Sequence, residues 1–420
     1  MTANCVRQKI PSMKSEILYV THRVPWPPDR GDRIRTWNIL KHLSKTATVD
    51  LICLADEPVT EETRNALSRV TRRLSIIPHS GKGRFLRGAL SLAMGRTVTE
   101  GLFDNQNLSL TVRQWAQQSN YLGAMASSSG IAKYVMSPVL EDVSKVWIDL
   151  IDVDSQKWLD YAASAKMPMS MIYGIEGRRL RKLEQHLAEN CQRLLVVSEA
   201  ERQLFADFCP TGPIQAIGNG VDTDYFVPAD RKVTSHSCVF VGVLDYLPNS
   251  DAVKWFSQTI WPEVRKKFPD AVFRIVGKNP TSEVLALNSL PGIEVVGPVP
   301  DVRPWLHRSS CVVVPLRIAR GVQNKVLEAM ACGRALVCSP SPLKGLAVEP
   351  GLHLLKADTT QEWIDSLTTV FDDVHRAEEL GMAASAWVQI NHRWKACLEP
   401  LAELTLADSD ISTNELEVES

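Results

Sequence analysis

At 420 residues the chain exceeds what one ordinary core holds and suits two domains. With 45 % hydrophobic and 23 % charged residues it has the composition of a globular protein, and a formal net charge of −1 excludes a nucleic-acid binder held by bulk positive charge. Nine Cys without a C-x-x-C pair suit buried thiols in a reduced cytoplasmic protein, not a disulfide framework or a zinc site. No apolar run reaches the roughly 18 residues of a membrane span, and Met1 to Ser15 lack an apolar signal-peptide core.

The first predicted element is a strand over Glu16–Thr21. A loop stiffened by Pro25, Pro27 and Pro28 follows, closed by Gly31. A helix with Ile34, Trp37, Leu40 and Leu43 inward leads to a strand over Thr48–Leu54. This β–loop–α–β start is the signature of a doubly wound α/β sheet. Ser80–Thr99 carries Lys82, Arg84, Arg87 and Arg96 with no acid, alongside Phe85, Leu86, Leu90, Leu92 and Met94. Such a segment suits either an anionic membrane surface or a surface helix with its apolar side on the core.

Strands are predicted over Tyr121–Ala126 and Val146–Ile151. The second runs into Asp149, Asp152 and Asp154, with Ser155 as a helix cap. Three carboxylates at one strand end are costly without partners. They suit orientation of a hydroxyl or a structural role, and their spacing repeats no metal motif. Tyr173–Asn190 is a basic helix and Leu194–Val197 a strand. Ser198 to Glu201 matches a capping box, and the first domain is expected to end near Thr211-Gly212-Pro213.

Asn219-Gly220-Val221-Asp222 reads as a tight turn. The βα pattern then restarts: a strand over Ser237–Val243, the loop with Asp245, Tyr246 and Asn249, and a helix over Ser250–Lys267. Ala271–Val276 is a strand ending in Gly277-Lys278. Ile293–Gly297 is another, leading to a loop with Asp301. Cys311–Val314 is apolar without alternation, as in a strand buried on both faces of a parallel sheet. After Pro315 and a basic loop, Arg317 to Arg320, the chain turns helical. At about 100° per residue, Gly321, Asn324, Lys325 and Glu328 share one arc of an otherwise apolar helix. Its N-terminus falls at the carboxyl edge of the sheet, where ligands of such sheets bind and backbone N–H groups attract phosphate. Lys325 adds charge, and ionised Glu328 accepts from sugar or ribose hydroxyls. The same two residues also suit a plain i, i+3 pair on a solvated face. Ala335–Cys338, Leu352–Lys356, a helix over Gln361–Phe371 and a last helix from His392 to Leu406 complete the pattern. Asp408–Ser420, with five acids and no bases, is expected to be disordered.

The segment RGVQNKVLEAMACG resembles the donor-binding helix of GT-B glycosyltransferases of the retaining family-4 type, whose form is E-G-x-G-x-x-x-x-E. Glu328 matches the second Glu and Gly321 the Gly after the first, while Arg320 stands where the first Glu would be. The form RGVQNKVLEAMA is similar to the sugar transferases that accompany exosortase (PEP-CTERM) exopolysaccharide systems. Pro25, Pro27, Pro28, Gly31 and Arg35 match the family's P-x-P-P-x-x-G-x-x-x-R loop, which reaches toward donor phosphates and acceptor. Asp149 to Trp158 match D-x-x-D-x-D-S-x-K-W, and Gly242 to Asn249 match G-x-x-D-Y-x-P-N. The family's usual Arg and Lys diphosphate clamp is absent there, which leaves the task to Lys325 with Arg320 or Arg317.

The resemblance implies a GT-B α/β fold of two doubly wound Rossmann-like domains facing a cleft. Residues 1–212 would form the acceptor side, 213–390 the nucleotide-sugar side, 391–407 a helix crossing back, and 408–420 the acidic tail. It implies transfer from a nucleotide diphosphate sugar to a carbohydrate or polyprenyl-linked acceptor, of hexosyl type and retaining, without metal or other cofactor. Asp152, Arg320 and Lys325 would be catalytic. Gly31, Arg35, Asp245, Tyr246, Asn249, Gly277, Lys278, Asp301, Gly321, Asn324, Lys325 and Glu328 would bind donor. A cytoplasmic location, with peripheral membrane contact through residues 80–99, follows from lipid-linked acceptors. The alternatives are a GT-B nucleotide-sugar epimerase and a non-catalytic nucleotide-sugar-binding subunit.

Overall fold

The computed structural model describes residues 14–229, 233–319 and 322–406. The first sheet holds β1 (Glu16–Thr21), β2 (Thr48–Ala55), β3 (Arg73–Pro78), β4 (Gly123–Ser127), β5 (Lys145–Ile151), β6 (Arg193–Val196) and β7 (Ile214–Ala216), in the order β3-β2-β1-β4-β5-β6-β7. The second holds β8 (Thr234–Val241), β9 (Val272–Val276), β10 (Ile293–Gly297), β11 (Ser309–Val314), β12 (Ala335–Cys338) and β13 (Leu355–Lys356), in the order β10-β9-β8-β11-β12-β13. The ladders between β1 and β6, and throughout the second sheet, run parallel. Parallel neighbours need crossovers over the sheet faces, so central strands are covered on both sides and read as unbroken apolar runs. Ile17–Val20 and Cys311–Val314 are such runs, and all are buried.

Chain direction across the sheet reverses between β1 and β4 in the first sheet, and between β8 and β11 in the second. The crevice beyond the carboxyl ends of those strands is where open α/β sheets bind ligands. The chain divides into two compact units. One comprises the described residues of Met1–Val196, Phe205–Gln215 and Glu399–Ser420; the other comprises those of Val197–Leu204 and Ala216–Leu398. In the first unit Lys145 Nζ donates to Glu403 O at 2.9 Å and Leu406 O at 2.6 Å, which ties the C-terminal residues to β5. In the second, Trp261, Trp363, Phe256 and Phe273 fill one core under the sheet.

Several elements depart from the sequence reading. The helix expected over Ser250–Lys267 starts at Leu247, passes through a π turn at Phe256–Ile260 and resumes at Trp261. The final helix is broken into Trp394–Cys397, a 3-10 turn at Glu399–Leu401 and Ala402–Thr405, because Pro400 cannot supply a backbone donor. An eighteen-residue helix, Val374–Asn391, was not anticipated. Within Ser80–Thr99 the helix Gly83–Ala93 buries Gly88 and Ser91, and leaves Phe85, Leu86, Leu90 and Met94 in solvent. The option of a helix with its apolar side on the core is therefore overturned. The acidic tail, Asp408–Ser420, lies outside the described residues.

Candidate active site

The second unit presents a polar helix edge just past the end of β11. The helix Asn324–Ala331 begins there, preceded by Gln323, whose side chain does not cap it. An uncapped helix N-terminus leaves backbone N–H groups for an anion. Val326, Leu327, Ala329, Met330 and Ala331 are buried against the sheet, so Asn324, Lys325 and Glu328 occupy the remaining polar arc. Lys325 Nζ donates to Asn249 Oδ1 at 2.5 Å and lies 4.7 Å from the centroid of the Phe240 ring. Asn249 is oriented in turn by donating from Nδ2 to Val243 O at 2.8 Å. Gly242 completes the arrangement, since a Cβ there would meet Asn249 Nδ2 at 2.9 Å and Lys325 Nζ at 3.1 Å.

Burial pulls Lys325 down to about 7, with Glu328 and Cys338 opposing the shift. Burial pushes Glu328 up to about 7, with Lys325 opposing it. Recessed one helical turn apart, Lys325 thus holds its proton more weakly and Glu328 more tightly than usual, so both titrate near neutrality, a state that an entering anion would change. Asn324 Oδ1 accepts from Asn219 Nδ2 at 3.2 Å, and Asn219 O is bound by the His392 ring at 2.9 Å. The Asn-Gly-Val-Asp turn is thereby brought beside the helix start.

The other expected donor residues are more dispersed. At the ends of β8 and β9, Gly277 packs so closely on Gly242 that a Cβ would lie 1.6 Å from Gly242 O; only glycine fits. Asp245 is exposed and accepts from Asn279 at 3.1 Å, while Tyr246 and Lys278 are also exposed on these loops. Asp301 is engaged by Arg303 at 2.8 Å, and that guanidinium stacks 3.6 Å over the Tyr225 ring. Arg317 is paired with Asp251 at 2.8 Å, so its charge is already offset. Arg320 and Gly321 lie outside the described residues.

The first unit gathers a second cluster at the carboxyl ends of β1, β4 and β5. His22 follows β1 directly; its Nδ1 lies 2.7 Å from Ser127 O and 3.0 Å from Ser127 Oγ, and its Nε2 3.6 Å from Asp32. Burial works against ionisation of Asp32, but His22, Arg23 and Arg30 overcome it and hold that carboxyl far below the usual range. Burial raises Asp154 to about 6, with Lys157 opposing and Asp152 reinforcing. Burial likewise raises Glu184 to about 8, although Ser155 N–H donates to it at 3.0 Å. Asp152 follows Ile151, a β-branched residue at φ +70°, and Ser128 at the end of β4 has φ +103°. Non-glycine residues there are strained, and such strain concentrates at functional sites. Gly31 is exposed on the first turn of Gly31–Thr46, open to a ligand.

Arg35 corrects an expectation. It is fully buried, and both Nε and Nη2 donate to the equally buried Asp149 at 2.8–3.0 Å. It is committed to the interior of the first unit and is not a donor ligand. His22, Asp32 and Glu184 were missed. His22 was the one open to discovery, as the first polar side chain past a buried strand.

Residues 235–373 match the family model described as Glycosyl transferases group 1. An uncharacterized glycosyltransferase of Haemophilus influenzae is 25 % identical over 213 residues, covering 48 % of this chain and 58 % of that protein. A GDP-mannose-dependent alpha-(1-6)-phosphatidylinositol monomannoside mannosyltransferase of Mycolicibacterium smegmatis is 27 % identical over 234 residues, covering 50 % and 60 %. The match thus spans less than two thirds of either curated relative. A sucrose-phosphate synthase from Thermosynechococcus elongatus superposes with a TM-score of 0.66 at 15 % identity, over 97 % of this chain and all of that one. The chain has the GT-B fold. In GT-B terms, the matched segment contains the whole Lys325–Glu328 arrangement, and the His22 cluster belongs to the other sheet.

Proposed function

We propose that the protein is a glycosyltransferase that takes its sugar from a nucleotide diphosphate sugar. The observation that carries this is Lys325: a recessed ammonium at an uncapped helix N-terminus, held by Asn249, within the segment that matches group 1 glycosyl transferases. In the reaction an acceptor hydroxyl oxygen bonds to the anomeric carbon while that carbon's bond to the diphosphate breaks. The electron pair leaves with the diphosphate, and the hydroxyl proton passes to a base. Charge therefore grows on the diphosphate, and the helix N-terminus with Lys325 is built to stabilise it. Glu328, once ionised beside a charged Lys325, accepts from ribose hydroxyls. Asn324, Asp245, Tyr246, Gly277, Lys278 and Asp301 belong to the same donor side in this reading, as do Arg320 and Gly321.

We assign the acceptor side to residues 1–212 apart from Val197–Leu204, and the donor side to 213–390, with the chain rejoining the first unit at Glu399 and not at 391. His22, oriented by Ser127 and Asp32, and Asp152 are the groups assigned to the acceptor hydroxyl. The finer reading is a retaining hexosyl transfer to a polyprenyl-linked or other carbohydrate acceptor in exopolysaccharide synthesis, at the cytoplasmic face of a membrane. Its support is the likeness of RGVQNKVLEAMA to the exosortase-associated transferases, and a relative whose name specifies a lipid-borne acceptor.

The test is turnover with a panel of nucleotide sugars, with and without added acceptor. Acceptor-dependent release of nucleoside diphosphate supports transfer. Sugar isomerisation without acceptor would make the protein an epimerase, and binding without release would make it a non-catalytic subunit.

A further inference from the structure

The helix Gly83–Ala93 is packed inside out. Its buried side is the small one: Gly88 and Ser91 face the helix Val98–Leu102, where a Cβ added at Gly101 would lie 2.9 Å from Gly88 Cα. Ser91 Oγ donates to Thr97 O at 2.7 Å, and Arg179 Nη1 donates to Leu92 O and Arg96 O at 2.6 and 2.8 Å. The capping box of Thr97 and Glu100 starts the second helix. The pair is therefore joined by close backbone approach, by Val98 and Leu102 packed on Gly88 and by polar bonds, without use of Phe85, Leu86, Leu90 or Met94.

Those residues form a stripe in solvent. Phe85, Leu86, Ala89, Leu90, Ala93 and Met94 fall at i, i+1, i+4, i+5, i+8 and i+9, one face of a helix, and all are exposed. Phe85 is 59 %, Leu86 64 %, Leu90 54 % and Met94 71 % exposed. Isolated exposed leucines need no explanation, but a contiguous apolar stripe does. Its surroundings name the occupant. Exposed Lys82 and Arg96 stand at its two ends and half-buried Arg84 and Arg87 along its border; no Asp or Glu occurs from Ser80 to Thr99, and of the four only Arg96 is paired with a carboxylate, Glu100 at 3.1 Å. An apolar face bordered by cations matches a bilayer interface with anionic headgroups.

We propose that the Gly83–Ala93 helix docks the protein on an anionic lipid bilayer, its stripe inserted at the headgroup boundary and its basic residues on the lipid phosphates. The helix follows β3, so it starts at the carboxyl edge of the sheet that also carries His22 and Asp152. Phe103 links the two regions, with ring centroids 5.7 Å from His22 and 6.2 Å from His79 at the end of β3. Docking there would present the acceptor-side cluster to lipid-borne substrates. That purpose rests on the proposed transferase function; the docking itself does not.

The experiment is co-sedimentation of the full chain with vesicles of phosphatidylcholine alone or with 40 % phosphatidylglycerol. Binding is expected only to the anionic vesicles and is expected to weaken with salt. Lys82→Glu with Arg84→Glu should cut binding by at least about 25-fold, since each basic residue at such a surface contributes about five-fold. Leu86→Ser with Leu90→Ser should cut it at least ten-fold, while melting temperature and turnover on a soluble acceptor stay unchanged. Equal binding by both double variants and wild type, or no binding to anionic vesicles, overturns the proposal. So does concentration-dependent self-association that the Leu86→Ser, Leu90→Ser variant abolishes in the absence of vesicle binding. Absence of acceptor-dependent turnover in the wild-type protein, with vesicle binding retained, would instead refute the transferase reading and leave docking intact.

Discussion

Replacing Lys325 by Met tests the proposed donor site most directly. Burial holds this ammonium at about 7, against an ordinary value of 10.5. A nucleotide diphosphate sugar is a dianion across neutral pH and prefers the protonated form. The protonated fraction of the free site falls from about nine-tenths at pH 6 to about one-tenth at pH 8, so donor affinity should fall about ten-fold over that range. A charge pair about 4 Å apart at an effective dielectric of 20 is stabilised by about 4 kcal/mol. Recharging the lysine at pH 8 costs about 1.4 kcal/mol, one pKa unit. Lys325→Met should therefore weaken binding by roughly 2–3 kcal/mol at pH 8, on the order of a hundred-fold, and by about ten-fold more at pH 6. Lys325→Arg keeps the charge and should flatten the pH dependence. The assay is calorimetric titration with UDP-glucose and GDP-mannose in buffers of different ionisation heat, which also reads proton uptake on binding. Wild-type affinity that is flat from pH 6 to 8, with no proton uptake, would refute the argument.

Glu184→Gln tests the buried carboxyl behind Asp154. The folded-state value of Glu184, about 8, lies above its ordinary 4.5, so the folded chain binds the extra proton and this contribution is lost as pH rises from 4.5 to 8. The variant should melt at the same temperature as wild type near pH 4.5 and several degrees higher near pH 8; a gap independent of pH would contradict this. Arg35→Met leaves Asp149 buried and unpaired and should cost about 3–5 kcal/mol in denaturant unfolding, with Arg35→Met plus Asp149→Leu recovering much of it. If Arg35 instead serves the donor, the single variant would lose affinity without losing stability. Gly277→Ala drives a methyl into Gly242 O and should lower the melting temperature and weaken nucleotide-sugar binding together, whereas an unchanged melting curve would show that the β8–β9 edge can open.

Much of the fold was legible because parallel sheets advertise themselves. Strands covered on both faces are largely apolar, so the runs in β1 and β11 stood out before any contact was known. The helix at Lys325 was readable for the same reason: a polar arc on an otherwise buried helix has few explanations. Local sequence could not say which strands neighbour one another, and the two switch points follow only from strand order. Nor could it tell a matched motif from its use. Arg35 fits a ligand-binding pattern, yet Asp149, 114 residues away, claims its guanidinium. His22 gained meaning only when β4 brought Ser127 to it. The stripe on Gly83–Ala93 had the same hydrophobic periodicity whichever way it faced. What turned it outward was the close fit of Gly88 against Gly101, a contact between glycines that hydrophobicity does not register.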